Sequence, residues 1–227
     1  MQGHGTRELW GLASHPRKDE FVTVGDDGTL RVWDAKNFAQ VKTVQIDAAA
    51  RAVIYSPDGN LIAVGFGNGV RMRGKATKDG AFIVLTSHDY KIVHEGKDSN
   101  EPIRVVKFSP DGKLLAVGSE DSMIIIYNVK DHYSRRSSIT CHKSPVLNFD
   151  FSSDGQFLQS VDSTSRICYS ETASGVNIPS PASLRDEKWM TCSCPVGWPV
   201  QGLWKSQPQG VKPLSVNKVT NTVLTQY

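Results

Sequence analysis

Val24-Gly25-Asp26-Asp27-Gly28-Thr29-Leu30-Arg31-Val32-Trp33-Asp34 reads as strand, tight turn, strand. Gly28 follows two aspartates, the composition of a turn that needs a positive φ. After it, Leu30, Val32 and Asp34 alternate with Arg31 and Trp33, the period-2 pattern of a strand. The stretch closes on Trp-Asp. The rest of the chain can be laid against this unit.

Working outward, the turn Ser56-Pro57-Asp58-Gly59 recurs as Ser109-Pro110-Asp111-Gly112 and, weakened, as Ser152-Ser153-Asp154-Gly155, with His15-Pro16 in the same slot earlier. Positions 16, 57, 110 and 153 are separated by 41, 53 and 43 residues. Two of these spacings match the roughly 40–45 residues of a four-stranded blade closing on Trp-Asp. Each unit has an apolar strand entering the turn (9–15, 52–56, 103–109, 146–152) and another leaving it (21–25, 61–65, 114–118, 157–161). Third strands are expected at 30–34, 81–86, 123–129 and 166–170. More polar fourth strands are expected at 40–46, 90–95, 137–141 and 175–178, as suits a solvent-facing edge. No stretch carries a 3.6-residue apolar period over helical length.

The fold class is therefore all-β: a WD-repeat β-propeller with about four recognisable blades and a partial one, an incomplete set or fragment. Blades fall at about 1–47, 48–97, 98–141 and 142–180. A linking or partial-blade segment follows at 181–205, and a divergent tail at 206–227 has room for one or two strands. An arc left open exposes strand edges at both ends.

Bulk properties narrow the function. The 227 residues are 39% hydrophobic and 22% charged, with a net charge of +3. That charge is too small to imply nucleic acid. No apolar run approaches the roughly 18–20 residues of a membrane span, and no secretory signal follows Met1. Cys141, Cys168, Cys192 and Cys194 are unevenly placed. Their spacing is a poor zinc signal, so they read as free thiols in a reducing compartment.

The first unit holds His4, Thr23, Asp27 and Trp33 at repeat-defined positions. A buried indole N–H, imidazole and carboxylate must satisfy one another, so this set reads as a structural tetrad pinning the strands. A catalytic reading of His, Asp and Thr was weighed against it and ranks lower because the positions follow the repeat. The third unit keeps Asp121 and has Tyr127 in place of the tryptophan. The fourth has His142 but no matching tryptophan. The 53-residue unit carries an insertion at 69–80, whose Arg71, Arg73, Lys75 and Lys78 face one acid, Asp79. Glycines at 69, 74 and 80 predict a flexible loop. It reads either as a basic finger for an acidic partner or as a tolerated surface insertion. Arg135-Arg136-Ser137-Ser138 reads as a loop. No phosphate loop, metal spacing or active site emerges, so no cofactor, metal or catalytic residue is expected.

Two stretches go beyond a generic repeat. Glu8-Leu9-Trp10-Gly11-Leu12-Ala13-Ser14-His15-Pro16, preceded by Gly3-His4, resembles a blade entrance of the echinoderm microtubule-associated protein-like family. Arg185-Asp186-Glu187-Lys188-Trp189, running through Cys192 and Gly197 to Val200-Gln201-Gly202-Leu203-Trp204, resembles a later segment of that family. The resemblance covers about residues 3–205. It implies a non-enzymatic scaffold that binds tubulin or microtubules in the cytoplasm and cytoskeleton, with no nucleic acid or membrane partner. The alternative is a generic WD-repeat scaffold without tubulin affinity. The family's coiled-coil attachment is not supported, because the chain has no a/d heptad run.

Overall fold

The computed structural model describes residues 4, 8–67, 78–194, 212–217 and 222–226. Three sheets of four strands and one of three follow one another along the chain. The first contains β1 (Leu9–Ser14), β2 (Glu20–Gly25), β3 (Thr29–Asp34) and β4 (Gln40–Gln45). The second contains β5 (Ala50–Tyr55), β6 (Leu61–Phe66), β7 (Ala81–Thr86) and β8 (Ile92–Lys97). The third contains β9 (Ile103–Phe108), β10 (Leu114–Ser119), β11 (Ile124–Asn128) and β12 (Ser134–Ile139). The fourth contains β13 (Val146–Phe151), β14 (Phe157–Asp162) and β15 (Ile167–Glu171). All are antiparallel meanders in chain order. A separate hairpin, β16 (Lys212–Asn217) with β17 (Thr222–Gln226), lies in the tail.

The first strands of successive sheets pack on one another: β1 on β5, β5 on β9 and β9 on β13. This is an arc of propeller blades. Side chains alternate across each sheet, and in the inner blades both faces are covered, so alternation serves two cores rather than core and solvent. On β5, Val53 and Tyr55 join a core with Val22, Val24, Leu30 and Val32 of the first blade. Ala52, on the opposite face of the strand, joins the next core with Ile103, Val106 and Phe108. A third core places Ala116, Ile124 and Ile126 against Phe149, Phe151 and Leu158. This explains why β6, β7, β10 and β11 are apolar almost throughout.

The repeated turn is built the same way three times. Ser56, Ser109 and Ser152 each donate a side-chain hydrogen bond to the aspartate two residues on, at 2.5, 2.6 and 2.6 Å. Each serine oxygen also accepts the amide five residues on, at 2.9 Å in every case. The turn glycine Gly59 has φ +78°, and a Cβ there would meet the His15 ring. Only glycine fits both conditions.

The fourth strands differ most from expectation. The segment 175–178 forms no strand; Asn177 makes a single bridge to Ser170. The run Arg135-Arg136-Ser137-Ser138 lies on β12 instead of in a loop. An edge strand tolerates polar side chains, so polarity there reads misleadingly as loop. Ser137 is buried and donates to the Thr172 carbonyl at 2.8 Å. After a short 3₁₀ turn at Pro181–Leu184, the chain returns to the fourth blade. There Met190 N–H donates to Phe151 O at 2.8 Å and Ser153 N–H to Lys188 O at 2.7 Å.

Candidate functional site: polar chains and the basic connection

In the first blade, β2–β3 pairing sets Phe21 opposite Trp33 and Thr23 opposite Arg31. Gly28, at φ +70°, lets the turn bring Asp27 back toward Thr23. His4 joins them. Trp33 Nε1–H donates to Thr23 Oγ1 at 2.7 Å, Thr23 Oγ1 lies 2.7 Å from His4 Nε2, and His4 Nδ1 lies 3.0 Å from Asp27. An indole is a donor only, so Thr23 accepts from Trp33 and its own proton goes to His4 Nε2. Nε2 is then the acceptor and Nδ1 carries the proton toward Asp27. Every link has one direction. Burial opposes ionisation of Asp27, but hydrogen bonds from His4 and Thr29 outweigh it and bring the carboxyl down to about 2. Thr23 is buried and its lone pair takes the indole proton, which links β2 to β3.

The same register hosts different chemistry elsewhere. In the third blade Tyr127 lies opposite Leu115, as Trp33 lies opposite Phe21. Its hydroxyl donates to Asp98 Oδ2 at 2.6 Å. Asp98 precedes its first strand by the same interval as His4 precedes β1, so one direct bond replaces the longer chain. Burial first, and Asp98 second, push the Tyr127 phenol well up. Asp121 of the same blade accepts the Met123 amide at 3.1 Å and the Ser119 hydroxyl. In the second blade Leu85 and Val64 fill the equivalent places, and packing alone serves.

In the fourth blade His142 Nδ1 lies 3.1 Å from Asp162 Oδ2, and its Nε2 lies 2.7 Å from Ser160 Oγ. The carboxylate comes from the end of β14 rather than from the following turn. Burial works against its charge, yet Thr164, the Arg166 amide and His142 hold the Asp162 carboxyl below the usual range. Ser170 stands opposite Leu158, in the place of the tryptophan.

A second polar cluster escapes sequence reading. Asp150 on β13 is fully buried and meets Lys107 Nζ at 2.9 Å. It also accepts from Ser193 Oγ at 2.6 Å, Ser193 N at 2.8 Å and Cys194 N at 3.1 Å. Burial opposes its charge, but Lys107 and the hydroxyls of Ser193 and Thr191 keep the carboxyl low. This cluster fastens 191–194 to the arc. Lys107, Thr191 and Ser193 lie 41 or more residues from Asp150 along the chain, so no local pattern announces them.

The basic segment connects β6 to β7, as the Asp27 turn connects β2 to β3. Arg71, Arg73 and Lys75 lie outside the described residues. Lys78 pairs with Glu95 Oε1 at 3.1 Å and sits 5.5 Å from the Phe66 ring centre. At the first blade entrance, Trp10 donates to Asp26 at 3.1 Å and carries the Arg51 guanidinium 4.0 Å above its ring. That tie between adjacent blades gives the Glu-Leu-Trp-Gly-Leu motif a physical role.

Consecutive antiparallel meanders of three or four strands, stacked first strand on first strand, with a Trp–Thr–His–Asp chain in the first, define the class as a β-propeller of the WD-repeat type. The model of the echinoderm microtubule-associated protein second beta-propeller matches residues 9–225. The chain belongs to this family. It is 33% identical over 214 residues to human echinoderm microtubule-associated protein-like 3, covering 92% of this chain and 22% of that protein. It is 34% identical over 221 residues to human echinoderm microtubule-associated protein-like 1, covering 96% of this chain and 25% of that protein. For echinoderm microtubule-associated protein-like 2 of mouse the identity is 32% over 225 residues, with 98% and 32% covered. The chain thus spans between about a fifth and a third of the length of these relatives. Among the described residues, no helix is long and apolar enough to cross a membrane.

Proposed function

We propose that this chain is a non-catalytic propeller scaffold that binds tubulin or microtubules and serves the cytoplasmic cytoskeleton. The observation that carries this reading is the family match across nearly the whole chain, to proteins named for microtubule association. The 69–80 segment supports it physically. Four basic residues against one acid suit an acidic protein surface, and such attraction steers encounter and weakens with salt. Arg71, Arg73, Lys75 and Lys78 are the proposed contact residues, while His4, Thr23, Asp27 and Trp33 serve the scaffold.

Size-exclusion co-elution with unpolymerised tubulin at low and moderate salt tests the reading. The expected result is a shared peak that fades as salt rises. Reversing the four basic residues to glutamate is expected to weaken low-salt binding by roughly tenfold. Unchanged binding by the reversed variant would remove the loop from the interface. A separate monomer peak at both salts would instead favour a WD-repeat scaffold for another assembly.

A further inference from the structure

The fourth blade brings together three groups that its sequence keeps apart. Cys141 and His142 are neighbours after β12, and Cys168 lies on β15. Their ligating atoms all lie within 4.8 Å of one another. We infer that Cys141, His142 and Cys168 form a binding site for a thiophilic divalent ion of the zinc type.

The spacing is close to what a metal needs. Bonds of about 2.3 Å to sulfur and about 2.0–2.1 Å to nitrogen place tetrahedral ligands roughly 3.3–3.8 Å apart. The cluster therefore reaches bonding geometry by a small contraction. Two thiolates and a neutral imidazole favour zinc over the oxygen-seeking cations. They also cancel the charge of a divalent ion, which suits a buried site. His142 and Cys168 are buried and Cys141 is half-buried, leaving an approach from its side.

The surroundings fit as well. Asp162 holds His142 Nδ1, as carboxylates do behind metal-bound imidazoles. That leaves Nε2 as the lone-pair nitrogen, and the Cys168 thiol lies close to the same imidazole. Ser160 now holds Nε2, but its hydroxyl has a second acceptor in the Cys168 carbonyl, 3.5 Å away. It can release the nitrogen without being stranded. Ser170 is fully buried and its hydroxyl faces the Cys141 thiol. It is placed to complete the coordination directly or through water. In the first blade the equivalent place is filled by Trp33.

Cobalt(II), a spectroscopic substitute for zinc, provides the test on the full 227-residue chain, reduced and stripped with chelator. One equivalent should produce thiolate-to-cobalt charge-transfer absorption and visible d–d bands, both abolished by added zinc. Cys141→Ser and Cys168→Ser should each lose the charge-transfer intensity, and Cys192→Ser should keep it. Asp162→Asn should bind cobalt about 10–100-fold more weakly. Circular dichroism separates lost binding from lost folding. Should Cys168→Ser fail to fold, the half-buried Cys141→Ser decides alone. The inference is overturned if the folded, reduced chain takes up no stoichiometric cobalt. It is equally overturned if the spectrum survives Cys141→Ser, or depends on Cys192 instead.

Discussion

The first and fourth blades put a histidine, a hydroxyl and a carboxylate into one hydrogen-bonded chain, and complete it differently. In the first, an indole donates into the chain from the third strand and stacks on Phe21 at 6.1 Å between ring centres. In the fourth, Ser170 occupies that register and two cysteines gather beside the histidine. The second blade omits polar chains in this register, and the third shortens the link to one Tyr–Asp bond. What repeats is therefore the need to satisfy buried polar groups, not the residue that does so.

The sharpest way to break the comparison is to empty the indole's place. Trp33→Ala removes a buried ring and leaves Thr23 without its donor, so a loss of about 3–5 kcal/mol is expected in denaturant unfolding. Ser170→Ala, at the matching place in metal-free protein, should stay within about 0.5 kcal/mol, because the hydroxyl it removes faces a thiol, a weak hydrogen-bonding group. Equal effects would mean that Ser170 contributes as much to its blade as Trp33 does to the first.

The histidines come next. His142 and Asp162 side chains are fully buried, whereas those of His4 and Asp27 are 7% and 17% exposed. His142→Ala takes from the Asp162 carboxylate a donor that bulk water cannot replace and should cost about 2–3 kcal/mol. His4→Ala should cost about 1 kcal/mol, since water can reach its partners. Parallel unfolding curves would check the ordering.

The smallest expected effect is in pH. The Asp27 carboxyl falls from 3.8 to about 2 on folding. A depressed acid stabilises the fold above its unfolded value, and that contribution disappears as pH falls from about 4 through 2. With solvent screening the loss should be about 1 kcal/mol. Asp27→Asn should remove that part of the acid dependence, visible as a flatter melting-temperature profile between those values.

The strand pattern was legible because propeller blades are local. Each strand pairs with its chain neighbour across a short turn, so glycine-marked turns and period-2 apolar runs suffice to place four successive sheets. The fourth strands were less legible, since an edge faces solvent and relaxes the pattern. Arg135 and Arg136 are an example, read as loop but found on β12. The links His4–Thr23, His4–Asp27 and Thr23–Trp33 could be anticipated because Trp-Asp and the turn mark their register. Arg71, Arg73 and Lys75 keep the sequence as their warrant.

By itself, then, the chain's order of residues determined the meander, the turn chemistry and the family. Tertiary structure alone decided which distant groups meet. Lys107 reaches Asp150 only because β9 packs on β13, and Thr191 and Ser193 arrive because the chain doubles back along that strand. Cys141 and His142 meet Cys168 because the pairing of β14 with β15 places Cys168 opposite Ser160. The physical reason is range. Backbone pairing and turns act over a few residues, whereas side-chain meetings across blades depend on the summed register of every strand between them.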